Sequence, residues 1–130
     1  MTPRILVIDD DPSLVHLMRA DLEEEGYDVL TGYDGQVAIK LARTEQPDLI
    51  VLDVNMPMTN GLLAAQTIRK TAETKNIPII MLSGEASEKI FPLIQEMGRM
   101  MHIKKPVDLD ELNSLVRQVL QKYPPDQAHK

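Results

Sequence analysis

Four short apolar runs, none alternating with polar residues, constrain this chain most. They are Ile5-Leu6-Val7-Ile8, Leu49-Ile50-Val51-Leu52, Ile79-Ile80-Met81-Leu82 and the weaker Met100-Met101-His102-Ile103; Val29-Leu30, after Gly26-Tyr27-Asp28, is a fifth candidate. A strand with one wet face alternates, whereas a continuous β-branched run is apolar on both faces and belongs inside a parallel sheet. Between the runs the period becomes helical. Asp11-Pro12 reads as an N-cap and first helical residue, Leu14, Val15, Met18 and Leu22 share one face, and Gly26 follows the end. The stretch from Gly35 to Thr44 carries Val37, Ala38, Leu41 and Ala42, and that from Gly61 to Thr71 carries Leu62, Ala65 and Ile68. Asp108-Leu109-Asp110-Glu111 reads as a capping box opening a helix with the stripe Leu109, Leu112, Val116 and Val119, stopped by Pro124-Pro125. Strand and helix thus alternate five times. This predicts an α/β fold, a five-stranded parallel sheet doubly wound as (βα)5 with right-handed crossovers. One domain over 1–122 is expected, with 123–130 a frayed tail and no second module.

Composition removes several classes of function. The 130 residues hold 14 Lys plus Arg against 20 Asp plus Glu, a net charge of −6, which disfavours direct contact with nucleic acid because phosphate binding needs a positive face. With no Cys there is no disulfide, no thiolate metal site and no Cys nucleophile. Three Tyr, one Phe and no Trp are too few for base stacking or a flavin sandwich. No apolar run approaches the ~18 residues of a membrane span. Asp9-Asp10-Asp11 stands where a signal peptide would be apolar, so the expected compartment is the cytoplasm.

The functional signal lies in what ends each buried run. The first leads into Asp9-Asp10, the third into Asp53, the fourth into Ser83 and the fifth into Lys104-Lys105-Pro106. Ligands of open parallel sheets bind beyond the carboxyl ends of the strands, at the point where strand order reverses. Three carboxylates, a hydroxyl and one or two ammonium groups should therefore converge on one rim. Two carboxylates ~4 Å apart repel by roughly 4 kcal/mol at an effective dielectric of about 20, so they share a proton or bind a cation. Oxygen donors without His or Cys suit Mg²⁺, and Lys and Ser suit a phosphate beside it. Phosphoryl chemistry follows, with a carboxylate as ligand or nucleophile.

From Arg4 to about Lys122 the chain resembles the receiver domain of two-component response regulators, of the CheY-like, flavodoxin-like class. The match rests on Asp9-Asp10, Asp53, Met56-Pro57 and Gly61, Ser83 and Lys105-Pro106, in that order and each at or just after a strand end. The resemblance implies that Asp53 is the phosphoacceptor, taking a phosphoryl group from the phosphohistidine of a sensor histidine kinase or histidine phosphotransfer protein and losing it slowly. Such a domain is a signalling phosphoacceptor rather than an enzyme with a released product. It implies Mg²⁺ held by Asp10, Asp53 and the Asn55 backbone carbonyl, with Asp9 acting through water. Lys105 and Ser83 would contact phosphoryl oxygens, and Asn55 and Glu85 would modulate phosphoryl loss. Output would pass to a partner protein through the face of the fourth helix, fifth strand and fifth helix.

Three features depart from the family pattern. His102 occupies the switch position where Phe or Tyr is usual, Gly98-Arg99-Met100-Met101 replaces the usual Gly-Ala, and Pro92 falls inside the expected fourth helix, where an interior Pro costs ~3 kcal/mol. His102 is read as a half-buried surface residue with a weak or absent swing, Asp11 as a cap, Lys104 as a solvated neighbour, and Leu14 and Leu17 as core. A haloacid-dehalogenase-type phosphatase also uses an Asp nucleophile, but Asp53-Val54-Asn55 follows the third run rather than the first, and Asn cannot serve as its acid.

Overall fold

The protein is described by a computed structural model covering residues 2–56, 61–84 and 91–125. Its elements are β1 (Arg4–Ile8), α1 (Pro12–Glu24), β2 (Asp28–Gly32), α2 (Gly35–Glu45), β3 (Leu49–Asp53), α3 (Gly61–Lys70), β4 (Ile79–Ser83), α4 (Phe91–Met97), β5 (Met100–Lys104) and α5 (Leu109–Lys122). All strand pairs are parallel, in the order β2-β1-β3-β4-β5. This is the doubly wound architecture expected from the alternation. The order reverses between β1 and β3, so the crevice of the sheet opens above Ile8 and Leu52, which are register partners.

Period-two alternation divides the core. Leu6, Ile8, Ile50, Leu52, Ile79 and Met81 face Ala38 and Ala42 of α2 and Ala64, Ala65 and Ile68 of α3. Ile5, Val7, Leu49, Val51, Ile80, Leu82 and Ile103 face Met18 and Leu22 of α1 and Leu112, Val116 and Val119 of α5. Every residue of β3 and β4 is buried, which is why those runs carry no polar alternation. Small alanines on α2 and α3 let those helices approach closely, and each fully buried Ile or Leu contributes about 1.5–3 kcal/mol. β2, at the edge, is mostly half-buried and correspondingly weaker in apolar pattern.

The helix starts follow the side-chain chemistry. The Asp11 carboxylate accepts the amides of Ser13 at 3.0 Å and Leu14 at 3.4 Å, with Pro12 in the first turn. Asp108 accepts those of Asp110 at 2.9 Å and Glu111 at 3.2 Å. Asp34 caps α2 through Val37 N at 2.8 Å, a cap the sequence reading had not singled out. At the other end of the sheet the Arg69 guanidinium donates to the carbonyls of Ile77 (2.7 Å), Gly98 and Arg99 (3.0 Å each), and Lys75 and Met97 (3.1 Å each). One planar donor fork thereby ties α3 to the chain leading into β4 and β5.

Leu17 corrects the reading of α1. It is 54% exposed rather than core, because Val15, Met18 and Leu22 form the buried seam and position 17 turns out of it. Leu14 is half-buried. Pro92, expected inside the fourth helix, stands in the first turn of α4, where a missing amide breaks no intrahelical bond; residues 85–90, before it, lie outside the described residues. Tyr123 packs against the α1–α5 core and under the Arg99 guanidinium, 4.7 Å from its ring centroid. Residues 126–130 of the expected tail lie outside the described part.

Candidate functional site

Asp9 follows the last residue of β1, and its amide continues the ladder to Gly32 O at 3.3 Å. Its carboxylate is fully buried, and Oδ1 accepts the Asp11 amide at 2.9 Å. Asp11 therefore caps α1 with its side chain and holds Asp9 with its backbone. Asp10, between them, is exposed. Asp53 ends β3, also fully buried, and its Oδ1 accepts the Asn55 amide at 3.1 Å. Asp9, Asp10 and Asp53 each offer an oxygen within 4.8 Å of the others.

One cation spans two of these acids. Lys105 Nζ lies 2.9 Å from Asp9 Oδ2 and 3.3 Å from Asp53 Oδ1. The Lys105 amide donates to Ser83 O at 2.6 Å, which anchors the lysine beside the end of β4. Burial alone would lower the Lys105 ammonium, but its bond to Asp9 and the charges of Asp53 and Asp9 outweigh that and raise it. The Asp53 carboxyl is raised too: burial and Asp9 push it up, against the Asn55 amide and Lys105. Asp53 Oδ2 is buried with no hydrogen-bond partner. A buried, unsatisfied carboxylate oxygen is costly, and a further cation or a covalent bond there would relieve it. Oxygen-only donors, an excess of acid over base and an open acceptor together fit a hard divalent ion such as Mg²⁺.

Ser83 ends β4, buried, on the same face of the sheet as Met81. Its Oγ is hydrogen-bonded to Nε2 of His102, one strand over on β5. His102 is half-buried, and burial lowers its imidazole, with Glu111 pulling up and Lys104 pushing down. The contact with Ser83 was not anticipated. Its signal was the period-two alternation, because Met81 and His102 are register partners and Ser83 is diagonal to His102 on their shared face. Asn55 is exposed, with its Nδ2 3.6 Å from where a side chain on Gly84 would begin. Glu85 and Pro57 lie outside the described residues. Lys104 is exposed, as expected, and has no share in the carboxylate cluster.

Another opening, a groove of about 370 Å³ among Pro47, Asp48, Ile77, Arg99 and Tyr123, lies at the opposite end of the sheet. Its Arg99 is already bound to Asn76 O at 3.1 Å and stacked on Tyr123. The convergent chemistry is at the carboxyl ends of β1, β3, β4 and β5, where the residues picked out in the sequence, Asp9, Asp10, Asp53, Ser83 and Lys105, all gather.

Comparison with known proteins bears on the family and the fold. The family model of the response regulator receiver domain matches residues 5–117. The chain is 39% identical over 122 residues to the alkaline phosphatase synthesis transcriptional regulatory protein PhoP of Bacillus subtilis, covering 94% of this chain and 50% of PhoP. It is 35% identical to protein PilH of Pseudomonas aeruginosa, covering 90% of this chain and 97% of PilH. The chain thus spans half the length of PhoP, and likewise of the Synechocystis regulator RpaA. Among solved structures, the chemotaxis response regulator CheY4 of Vibrio cholerae superposes with a TM-score of 0.84 at 29% identity, covering 92% of this chain and all of CheY4. Within the described residues no helix is long and apolar enough to cross a membrane. Family match, fold and relatives coincide, and the chain belongs to the response regulator receiver domain family, the phosphoacceptor signalling domains of two-component systems.

Proposed function

We propose that this receiver takes a phosphoryl group on Asp53 from the phosphohistidine of a sensor histidine kinase or a histidine phosphotransfer protein. The observation that carries the reading is the Asp53 carboxylate, buried at the switch point with Oδ2 unsatisfied, beside Lys105 and the Asp9–Asp10 pair. A carboxylate oxygen of Asp53 attacks phosphorus, the P–N bond breaks, and its electron pair leaves with the imidazole, so no further co-reactant is needed. Lys105, already 3.3 Å from Asp53, would follow the charge onto a phosphoryl oxygen. Ser83 would donate to another. Asp9 and Asp11 hold the cluster in place through the 2.9 Å bond from the Asp11 amide.

Asp10, Asp53 and the Asn55 carbonyl would hold Mg²⁺, with Asp9 acting through water. When bound, the ion supplies positive charge that offsets the carboxylates and the transferring phosphoryl oxygens. Slow hydrolysis of the acyl phosphate, modulated by Asn55 and Glu85, resets the domain. Output passes to a partner protein through the face built from α4, β5 and α5. The reading places the receiver over residues 1–122 and its site of action in the cytoplasm, and PilH, 97% of which the match covers, is a relative of receiver scale.

Incubation with Mg²⁺ and acetyl phosphate tests the core of the proposal. Intact-mass spectra should gain one acid-labile phosphoryl group, absent in Asp53→Asn. Equal labelling of wild type and Asp53→Asn would place the nucleophile elsewhere.

A further inference from the structure

The two ends of α3 are tied to two different parts of the sheet. At its first residue the Gly61 amide donates to Val54 O, and the Gly61 Cα leaves no room for a side chain beside the backbone of Asp53 and Val54. Near its last residue the Arg69 guanidinium meets the turn between α4 and β5. Nε donates to Met97 O at 3.1 Å and Gly98 O at 3.0 Å, and Nη2 donates to Arg99 O at 3.0 Å.

That turn is poised. Gly98 has φ +69° and Arg99 φ +49°, two left-handed residues in succession, the second with a side chain. An L residue there crowds its own carbonyl, so the conformation persists only where its surroundings hold it. Three consecutive carbonyls converging on one planar donor are such a hold. The Arg99 side chain extends the tie, donating to Asn76 O at 3.1 Å and stacking on the Tyr123 ring.

We propose that Arg69 is a positioning residue that carries the state of Asp53 along α3 to the left-handed turn at Gly98 and Arg99, and through it to the Arg99–Tyr123 stack at the far end of the sheet. This rests on the reading of Asp53 as phosphoacceptor. A phosphoryl group brings about −1.5 to −2 charges to a carboxylate whose Oδ1 holds the Asn55 amide, so the chain that leaves β3 has to adjust. Gly61 has no slack to absorb that adjustment. The ten residues of α3 form one continuous helix, about 15 Å long at 1.5 Å per residue, and shift as a unit. The bonds from Arg69 to the turn are already 3.0–3.1 Å long. A shift of a few tenths of an ångström takes them past the ~3.2 Å reach of a good N–H···O bond. The turn then has two arrangements. It is left-handed with the fork closed, or relaxed with the fork open, and the Arg99 guanidinium leaves Tyr123 as the backbone beneath it turns.

The test is NMR of the backbone amides and the Tyr123 ring, with Mg²⁺, before and after addition of beryllofluoride as phosphoryl mimic. In wild type the amides of Asp53 and Gly61 should shift, and those of Gly98 and Arg99 and the Tyr123 ring should shift with them. In Arg69→Lys, which keeps the charge and loses the fork, the Asp53 and Gly61 shifts should remain while those of Gly98, Arg99 and Tyr123 fall to less than half. Arg99→Gly leaves the fork in place but stays left-handed without steric cost, and should likewise lose most of the Gly98 response. Ile68→Val, a loss of one buried methylene from the same helix, lowers stability without touching the guanidinium and should keep the full response. The proposal alone is overturned by a turn that stays still in wild type while Asp53 and Gly61 shift. It is overturned equally by a full Gly98 response in Arg69→Lys or Arg99→Gly, or by an Ile68→Val response as weak as that of Arg69→Lys. Asp53 and Gly61 amides unmoved in wild type overturn the phosphoacceptor reading, and this proposal with it.

Discussion

Gly61 lies so close to Asp53 that a methyl group on its Cα would stand 1.8 Å from the Asp53 carbonyl oxygen. The Gly61 amide also donates to Val54 O at 3.1 Å. The first residue of α3 is thus pressed against the backbone that carries the central carboxylate, and only a hydrogen fits between them. Gly61→Ala must move either α3 or the end of β3. Overpacking of this kind costs about 1–3 kcal/mol, and the displaced strand end should slow labelling by acetyl phosphate as well. Urea denaturation and intact-mass time courses on the same protein check both effects. A variant as stable and as reactive as wild type would show that the approach is easily relaxed.

Asp53 should make the resting protein less stable at neutral pH. Its folded carboxyl is raised, by burial first and then by Asp9, above the ordinary value of about 3.9. A raised group gives stability that is complete below the unfolded value and is lost as pH rises through the folded one. Above that folded value wild type has therefore lost it and holds Asp53 as a buried carboxylate. Asp53→Asn should melt several degrees higher than wild type at pH 7, with the gap closing as pH falls through the folded value of Asp53 toward about 3.9. Calorimetric melting curves across that range measure the difference, and an equal or lower Tm for Asp53→Asn at pH 7 would contradict it.

Mg²⁺ should be held by an acid that contributes little to the fold. Asp10 is exposed, whereas Asp9 and Asp53 are buried and bonded. Asp10→Asn should therefore leave the melting temperature of the metal-free protein nearly unchanged and weaken Mg²⁺ binding by about tenfold or more, equivalent to ~1.4 kcal/mol. Titration calorimetry in parallel with melting separates the two. Unchanged Mg²⁺ affinity would remove Asp10 from the ligand set.

Arg69 should matter more to stability than any other charged side chain away from the site among the described residues. Its guanidinium serves five carbonyls, and burial with Arg99 nearby lowers it to about 10, still well above neutrality, so it remains a cation. Arg69→Met strips those acceptors of their donor and should cost about 1–3 kcal/mol, because two of the bonds are part-buried and the other three carbonyls can turn to water. Arg69→Lys should not restore it, because an ammonium lacks the planar fork. Denaturant midpoints for the two variants, both well below wild type, are the expected outcome; a Lys variant at the wild-type midpoint would argue that charge alone suffices.

The α/β class, the five alternations and most of the core were legible in the chain itself. Runs such as Ile79-Ile80-Met81-Leu82 carry no alternation only when both faces are covered, and period 3.6 placed Met18, Leu22, Leu112 and Val116 where the structure buries them. The gathering of Asp9, Asp53, Ser83 and Lys105 was legible for the same reason, because in a parallel sheet all strand ends point to one rim. Leu17 escaped because a helical stripe has a soft edge: one residue's rotation of ~100° separates a seam from solvent, and only the packed neighbours say where the seam stops. The Arg69 fork and the Ser83–His102 bond escaped for a different reason. Both join segments far apart in sequence through side chains whose direction depends on strand order and register, and those are set by how the helices pack on the two faces of the sheet. The candidate site residues were determined locally; which nitrogen meets which hydroxyl was decided only when β4 and β5 came to lie side by side.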